Sequence, residues 1–293
     1  MKKTFTLLAA LCAGAFSAAK GGVALPRELA AKELLSSSTQ TLAPGVSCVQ
    51  AHFKNLFGDG PVRTFFLVVD WKTCGTNATL AIARNPARRE KPSALAARTK
   101  ALAAVNGTYH SMTDPSVPYF QLKVDGALVP SKLDGGDGTI AFNRGEMPYV
   151  GKFKKELLDQ YANVMSGDGV PGLGEKFPDY SDRSPEAKKK RALCRAPRTF
   201  AGNDLKNRVT VIGVADGRQR ESVGVNYVEA RKLLELWGCD PEALVSLDGG
   251  GSSVMVTREG KGHKVRNVPS DGYPLAPRER RVAESLQILP AGP

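Results

Sequence analysis

"ALVSLDGGGSSVMV", residues 243–256, decides how this chain is read. An apolar run ends in a carboxylate, Asp248, and three glycines and two serines precede a second apolar run. Glycine loses more backbone entropy on folding than any other residue, so three in succession are a costly way to build an ordinary turn. Strands over 243–247 and 253–257 joined by such a loop point to a place where something approaches the backbone closely. Successive amides without Cβ atoms can curl around an anion, and Ser252 and Ser253 add hydroxyl donors. The GxxxxGK[ST] pattern of a P-loop is absent, and a strand rather than a helix follows. The plainer alternative is a strained hairpin or bulge in which Asp248 caps the turn.

Outward from the loop, residues 208–217 read as a strand ending in Asp216-Gly217. Asn226 followed by Glu229 forms a capping box. Val228, Leu233, Leu234 and Trp237 keep helical spacing, and Gly238 is placed to stop that helix. Further upstream, 62–71 and 78–84 read as strands, 92–105 as a helix, 119–129 as a hairpin around Asp125-Gly126, 138–145 as a strand and 151–163 as a helix. Residues 26–36 have helical spacing, so 20–45 is expected to be a helical lead-in to a single domain over 46–293. From Ser166 to Lys190 the sequence turns polar and rich in Gly and Pro, which reads as a surface excursion. Strands and helices alternate without a regular βαβ repeat. The fold class expected is α+β: one domain of mixed sheets with a few packed helices.

Composition narrows the function. The chain has 293 residues and a formal net charge of +12. Lys2 and Lys3, an apolar stretch over 5–16 and the small residues Ser17-Ala18-Ala19 form a cleavable secretory signal over 1–19. The apolar stretch is shorter than the ~20 residues of a spanning helix, so no integral membrane segment is expected and the protein is expected to be secreted or periplasmic. Removing the signal removes Lys2 and Lys3 and leaves a net charge of +10. The positive charges are dispersed, apart from Lys188-Lys189-Lys190-Arg191, and carry no aromatic interleaving, which argues against a nucleic-acid partner. The excess fits an anionic substrate or a cell-envelope surface. Four cysteines remain, Cys48, Cys74, Cys194 and Cys239, an even number that suits disulfides in an oxidising compartment and allows three pairings.

Five ordered segments together resemble the phosphodiester glycosidase family: "AVNGTYH" (104–110), "APRTFAG" (196–202), "VADGRQRESVGVNYVEARKLLELWGC" (214–239), "LDGGGSS" (247–253), and the closing pair "VRNVPSDG" (265–272) and "RERRVAESLQIL" (278–289). Thr108, Tyr109 and His110 depart from the family's usual Gly-Phe-Phe, and Asn226 stands where Thr is common; both departures bear on sugar specificity more than on reaction class. The resemblance implies hydrolysis of a sugar phosphodiester at the anomeric carbon, with a phosphorylated glycan or sugar phosphodiester as partner. A departing phosphate is a weak base, so such a site has less need of strong acid assistance than an ordinary glycosidase. It needs donors and cations for the phosphate and one carboxylate near the anomeric carbon.

This chain offers that inventory. Arg198 can fork onto phosphate oxygens, and the backbone of Gly249, Gly250, Gly251 and Ser252 can cradle them. Asp248 is the candidate nucleophile or general base, and His110 the candidate acid. Asn106 and Gly107 are candidate substrate contacts, although Asn-Gly is also a favoured turn in its own right. Tyr109 is a candidate for stacking on a sugar face or for the core. Asn267 and Asp271 are candidate ligand contacts or Asx-turn residues, and Arg280 or Arg281 can reach the phosphate or form a surface ion pair. No cofactor is expected. A divalent cation stays open, because Asp134, Asp137, Asp248 and Asp271 offer oxygens for one without a spacing that demands it. The competing reading is a non-catalytic envelope module that binds phosphorylated glycans through the same loop.

Overall fold

The computed structural model describes residues 23–111, 114, 117–170 and 193–291. Sixteen strands, numbered in chain order, form three antiparallel sheets. The first holds β1 (Leu34–Ala43), β2 (Val46–Phe53), β3 (Val62–Asp70), β12 (Val209–Ala215), β11 (Arg198–Asp204) and β13 (Leu244–Ser246), in that spatial order. The second holds β7 (Ala127–Val129), β6 (Leu122–Val124), β10 (Asn163–Gly167), β8 (Gly138–Phe142) and β9 (Tyr149–Lys152). The third holds β15 (Gly262–Val265), β14 (Met255–Glu259), β5 (Ala103–Asn106), β16 (Glu284–Pro290) and β4 (Ala78–Arg84). Among the described residues five helices accompany them: α1 (Arg27–Ala30), α2 (Trp71–Cys74), α3 (Pro92–Thr99), α4 (Leu157–Gln160) and α5 (Tyr227–Leu236). The α+β class is as the sequence indicates.

Side-chain alternation explains the layering. In β3, Phe65, Leu67 and Val69 turn into a central core shared with Leu80, Ile82, Val105, Ile140 and Leu286 from the other sheets. Phe66 and Val68 turn the other way, onto Phe200, Leu233, Leu234 and Trp237 beneath α5. A strand buried on both faces cannot alternate with polar residues, which is why "FFLVV" is continuously apolar. The capping box of α5 forms as expected: Glu229 N–H donates to Asn226 Oδ1 at 2.9 Å and Asn226 N–H to Glu229 Oε2 at 2.9 Å.

Local pattern misleads in four places. The helix expected over 26–36 is four residues long, and Leu34–Ala43 is instead a strand paired with β2. Its Ser and Thr residues favour extended backbone, and β2 supplies the ladder partners that local periodicity cannot show. The helix expected over 92–105 stops at Thr99; Lys100 adopts a left-handed conformation and Ala103 starts β5. The helix expected over 151–163 shrinks to α4, flanked by β9 and β10. The polar excursion begins later than Ser166, because Ser166 and Asp168 are fully buried and Asp168 pairs with Ser246. Residues 171–192 and the signal over 1–19 lie outside the described residues.

The expected disulfides are absent among the described residues, and all four cysteines are free thiols. Cys48 and Cys239 lie on opposite faces of the first sheet, in separate cores. Cys48 Sγ sits 3.9 Å from Met255 Sδ, Cys74 faces the Ala78 carbonyl, and Cys194 is exposed. No described helix is long and apolar enough to cross a membrane.

Candidate active site

All three sheets converge on the glycine loop. β13 runs beside β11 with Phe200 opposite Ser246, so Leu247 N–H reaches the Thr199 carbonyl at 2.9 Å and Gly250 N–H the Pro197 carbonyl at 2.8 Å. Asp168, just past β10, exchanges two backbone hydrogen bonds with Ser246, both 2.9 Å. In the third sheet Val105 faces Met255 and Asn106 faces Ser285, which brings the ends of β5, β14 and β16 to the same point. Asp248 is tied there by its own N–H to the Gly107 carbonyl at 3.1 Å.

Asn106 is the clamp that holds this junction. Its Oδ1 accepts from Thr199 Oγ1 (2.7 Å) and Val254 N–H (3.2 Å), and its Nδ2 donates to the carbonyls of Asp248 (2.7 Å) and Gly107 (3.2 Å). A fully buried carboxamide with all four bonds inside the protein orients the loop. Asn267 behaves alike. It accepts from Met255 N–H at 2.8 Å and donates to Asp216 Oδ1 at 3.0 Å and the Ser253 carbonyl at 3.1 Å.

The loop is not the open row of amides that its glycines suggest. Gly249 N–H donates to Asp248 Oδ1 at 2.8 Å and Gly250 N–H to Pro197, while Ser252 and Ser253 donate back to Gly249 and Gly250 in a single 3₁₀ turn. Four of these amides are thus already used within the protein. The glycines serve another purpose, which is to let guanidinium groups approach. A Cβ on Gly250, where φ is +62°, would lie 3.2 Å from Arg218 Nη1, and one on Gly251 would lie 2.2 Å from Arg280 Nη2; on Gly249 it would press on the Pro197 carbonyl at 3.0 Å, with Arg198 Cδ at an ordinary 3.6 Å. Gly250 and Gly251 each give way to a guanidinium, and Arg198 lies alongside Gly249.

Those arginines are held differently. Arg198 is buried, stacks 4.4 Å above the Tyr227 ring and donates to the Cys194 carbonyl at 3.0 Å. Arg280 leans on Asp271, 3.5 Å away, and Asp271 also pairs with Arg278. Asp271 therefore orients Arg280. Arg281 is exposed. Tyr109 donates to Asp168 Oδ2 at 2.7 Å and packs edge-on against Phe120. Among the described residues no three acidic, histidine or cysteine side chains gather in metal-binding geometry.

Four buried polar groups at the loop are left short of hydrogen-bond partners among the described residues: the hydroxyls of Ser252 and Ser253 have none, and the ring of His110 and the carboxyl of Glu284 meet only the Thr108 main chain. Buried polar groups are ordinarily satisfied, so a cluster of four marks the place where a ligand would supply the missing partners. Burial, reinforced by the positive charge of Arg89, lowers His110 to about 4. It is a neutral imidazole across the neutral range and stores no proton for a leaving group.

Glu284 is the residue the sequence analysis missed. It is buried at the start of β16 beside Asp248 and Arg84, and burial, with the Asp248 charge adding to it, raises its carboxyl to about 8. The available signal was parity: Glu284 shares the core-facing register of Leu286 and Ile288, where an acid is out of place.

Gly107 joins the two carboxyl residues. It donates to the Glu284 carbonyl at 2.9 Å and accepts from Asp248, and a Cβ on it would meet Glu284 Cγ at 2.7 Å. Gly107→Ala is therefore expected to overpack the junction and cost about 1–3 kcal/mol, read as a fall in the denaturation midpoint at constant m-value. An unchanged midpoint would contradict the contact.

Comparison with known proteins accords with this geometry. No curated protein sequence matches significantly. The structure is similar to the zebrafish N-acetylglucosamine-1-phosphodiester alpha-N-acetylglucosaminidase catalytic domain, auto-inhibited by its pro-peptide, at TM-score 0.66 and 19% identity over 87% of this chain and 88% of that one. It is similar to a Burkholderia pseudomallei protein described as exported, at TM-score 0.65 and 16% identity over 91% and 99% of the two chains. A hypothetical protein from Synechocystis aligns at TM-score 0.59 and 11% identity over 86% and 63%. The sequence profile of the phosphodiester glycosidases matches residues 99–289, well over half of the chain, and the protein belongs to that family.

Proposed function

We propose that this protein is a hydrolase that cleaves a glycosyl-1-phosphodiester at the anomeric carbon, releasing a free sugar and a phosphomonoester. The observation that carries the reading is the pairing of Asp248 with a second carboxyl, Glu284, that keeps its proton to about pH 8, beside arginines that a phosphate can occupy. A carboxyl that burial keeps protonated can serve as the acid beside a second carboxyl.

Arg198 and Arg280 hold the non-bridging phosphate oxygens, assisted by the hydroxyls of Ser252 and Ser253. Asp248 assists at the anomeric carbon, as nucleophile or as the base that takes a proton from water. Glu284 gives its proton to the phosphate oxygen as the C–O bond breaks. Water thus supplies the hydroxyl of the sugar and the proton that passes to the phosphomonoester. Asn106 and Asn267 act through the backbone they hold, and neutral His110 serves as a hydrogen-bond partner. The basic, apolar N-terminal segment and the exported description of the Burkholderia neighbour support a compartment outside the cytoplasm.

The test is hydrolysis of a panel of glycosyl phosphodiesters by the purified protein in oxygen-labelled water. Label in the sugar supports C–O cleavage, and label in the phosphate rejects it. Tight retention of the substrates without turnover would favour the glycan-binding module instead.

Gly251→Ala probes the phosphate clamp separately. The added methyl meets the flexible end of Arg280 rather than backbone, so the thermal midpoint is expected to shift little. Loss of one charge-assisted contact is expected to raise KM by roughly tenfold. An unchanged KM would remove Arg280 from the clamp.

A further inference from the structure

Arg218 differs from its two neighbours in the ring. Arg198 is buried and braced by carbonyls and the Tyr227 ring, and Arg280 is shared with Asp271. The Arg218 side chain is exposed and, among the described residues, has neither an ion pair nor a hydrogen bond. Its backbone sits at φ +60°, a left-handed conformation disfavoured for a residue with a Cβ. The turn that imposes it is firmly fixed. Gln219 and Ser222 exchange backbone hydrogen bonds of 3.1 and 3.2 Å, Ser222 Oγ donates to the Asp216 carbonyl at 2.8 Å, and Arg63 Nη2 donates to Gln219 Oε1 at 3.2 Å. Strained backbone held by over-determined surroundings is a common companion of ligand contacts. Here it presents an uncompensated guanidinium over Gly250.

Charge counting gives this group a role. A phosphodiester carries one negative charge on two non-bridging oxygens, which two arginine forks satisfy. With the anomeric carbon at half-buried Asp248 beside buried Glu284 and the phosphate over Gly249 and Gly251, the rest of such a ligand would be directed towards the exposed Arg218. We infer that Arg218 recognises a second phosphoryl group on the leaving side, so that the preferred substrate is a sugar joined to a diphosphate. This inference rests on the reading of the site as one for sugar phosphodiesters. The second phosphate could belong to a nucleoside diphosphate or to a lipid diphosphate, and the chemistry recognised is common to both.

The experiment compares wild type with Arg218→Asn in the full chain, because asparagine removes the charge yet tolerates left-handed backbone. Calorimetry with inorganic diphosphate and orthophosphate gives one preference ratio. The ratio of kcat/KM for a nucleoside diphosphate sugar to that for the methyl phosphodiester of the same sugar gives another, and a polyprenyl diphosphate sugar in detergent tells the lipid source from the nucleotide. Wild type is expected to favour the diphosphate, and Arg218→Asn to reduce the binding ratio by about tenfold. A wild-type protein without preference, or a reduction of less than threefold, overturns the inference. Turnover of neither sugar substrate, with the binding preference present and lost in the variant, would defeat the hydrolase reading and leave the role of Arg218 standing.

Discussion

Glu284→Gln is expected to lower kcat by on the order of 10²-fold, the lower end of the range for losing a general acid, because a departing phosphate is already a weak base. Protonation state supports this assignment over His110. Glu284 retains its proton until about pH 8, whereas His110 is neutral above about 4. Wild-type kcat is expected to decline as pH rises through about 8, and the variant to lack that limb. Stability carries the same signature. The Glu284 carboxyl ionises near 4.5 when unfolded and about 8 when folded. The folded state therefore binds the extra proton between those values, and stability falls as pH rises through that window. Glu284→Gln is expected to flatten the slope of unfolding free energy against pH there, whatever constant offset the buried amide introduces. A variant with full activity and an unchanged slope would reduce Glu284 to a packing residue.

Asp248→Asn is expected to have the larger effect, a loss of about 10³-fold or more in kcat, because it removes the only group assigned to assist at the anomeric carbon. The fold should survive. An asparagine Oδ1 can still accept the Gly249 N–H, and the bonds to Gly107 and Asn106 use the main chain. Removing the Asp248 charge also removes one of the influences that raise Glu284, second to burial among those that do so. The window of pH-dependent stability should therefore contract from its upper end. Because the two carboxyl groups act as one unit, the double variant is expected to be little worse than Asp248→Asn alone. Retained turnover in Asp248→Asn, or additive losses in the double variant, would break the pairing.

What could be read locally came through well. The hairpin at Asp125-Gly126, the capping box at Asn226 and Glu229, and the strands on either side of the glycine loop all depend on residues a few positions apart. The helices expected over 26–36, 92–105 and 151–163 failed where strand pairing claimed the chain, as the neighbouring β2 claims Leu34–Ala43 across a tight turn and the distant β16 claims Ala103–Asn106. Ladder partners outside the local window outweigh its modest preferences.

The amino-acid order alone settled that residues 246–253 form a special loop between two strands, with Asp248 at its edge and Arg198 as an available cation. It also carried the family motifs. Folding in three dimensions decided what the glycines are for. Their amides are mostly spent inside the protein, and the bareness of Gly250 and Gly251 admits Arg218 and Arg280 from two separate segments. It also decided that Glu284, thirty-six positions beyond Asp248 in the chain, is buried beside it. A carboxyl group acquires its pKa from burial and neighbouring charge, and both are properties of packed tertiary structure that no stretch of sequence possesses by itself.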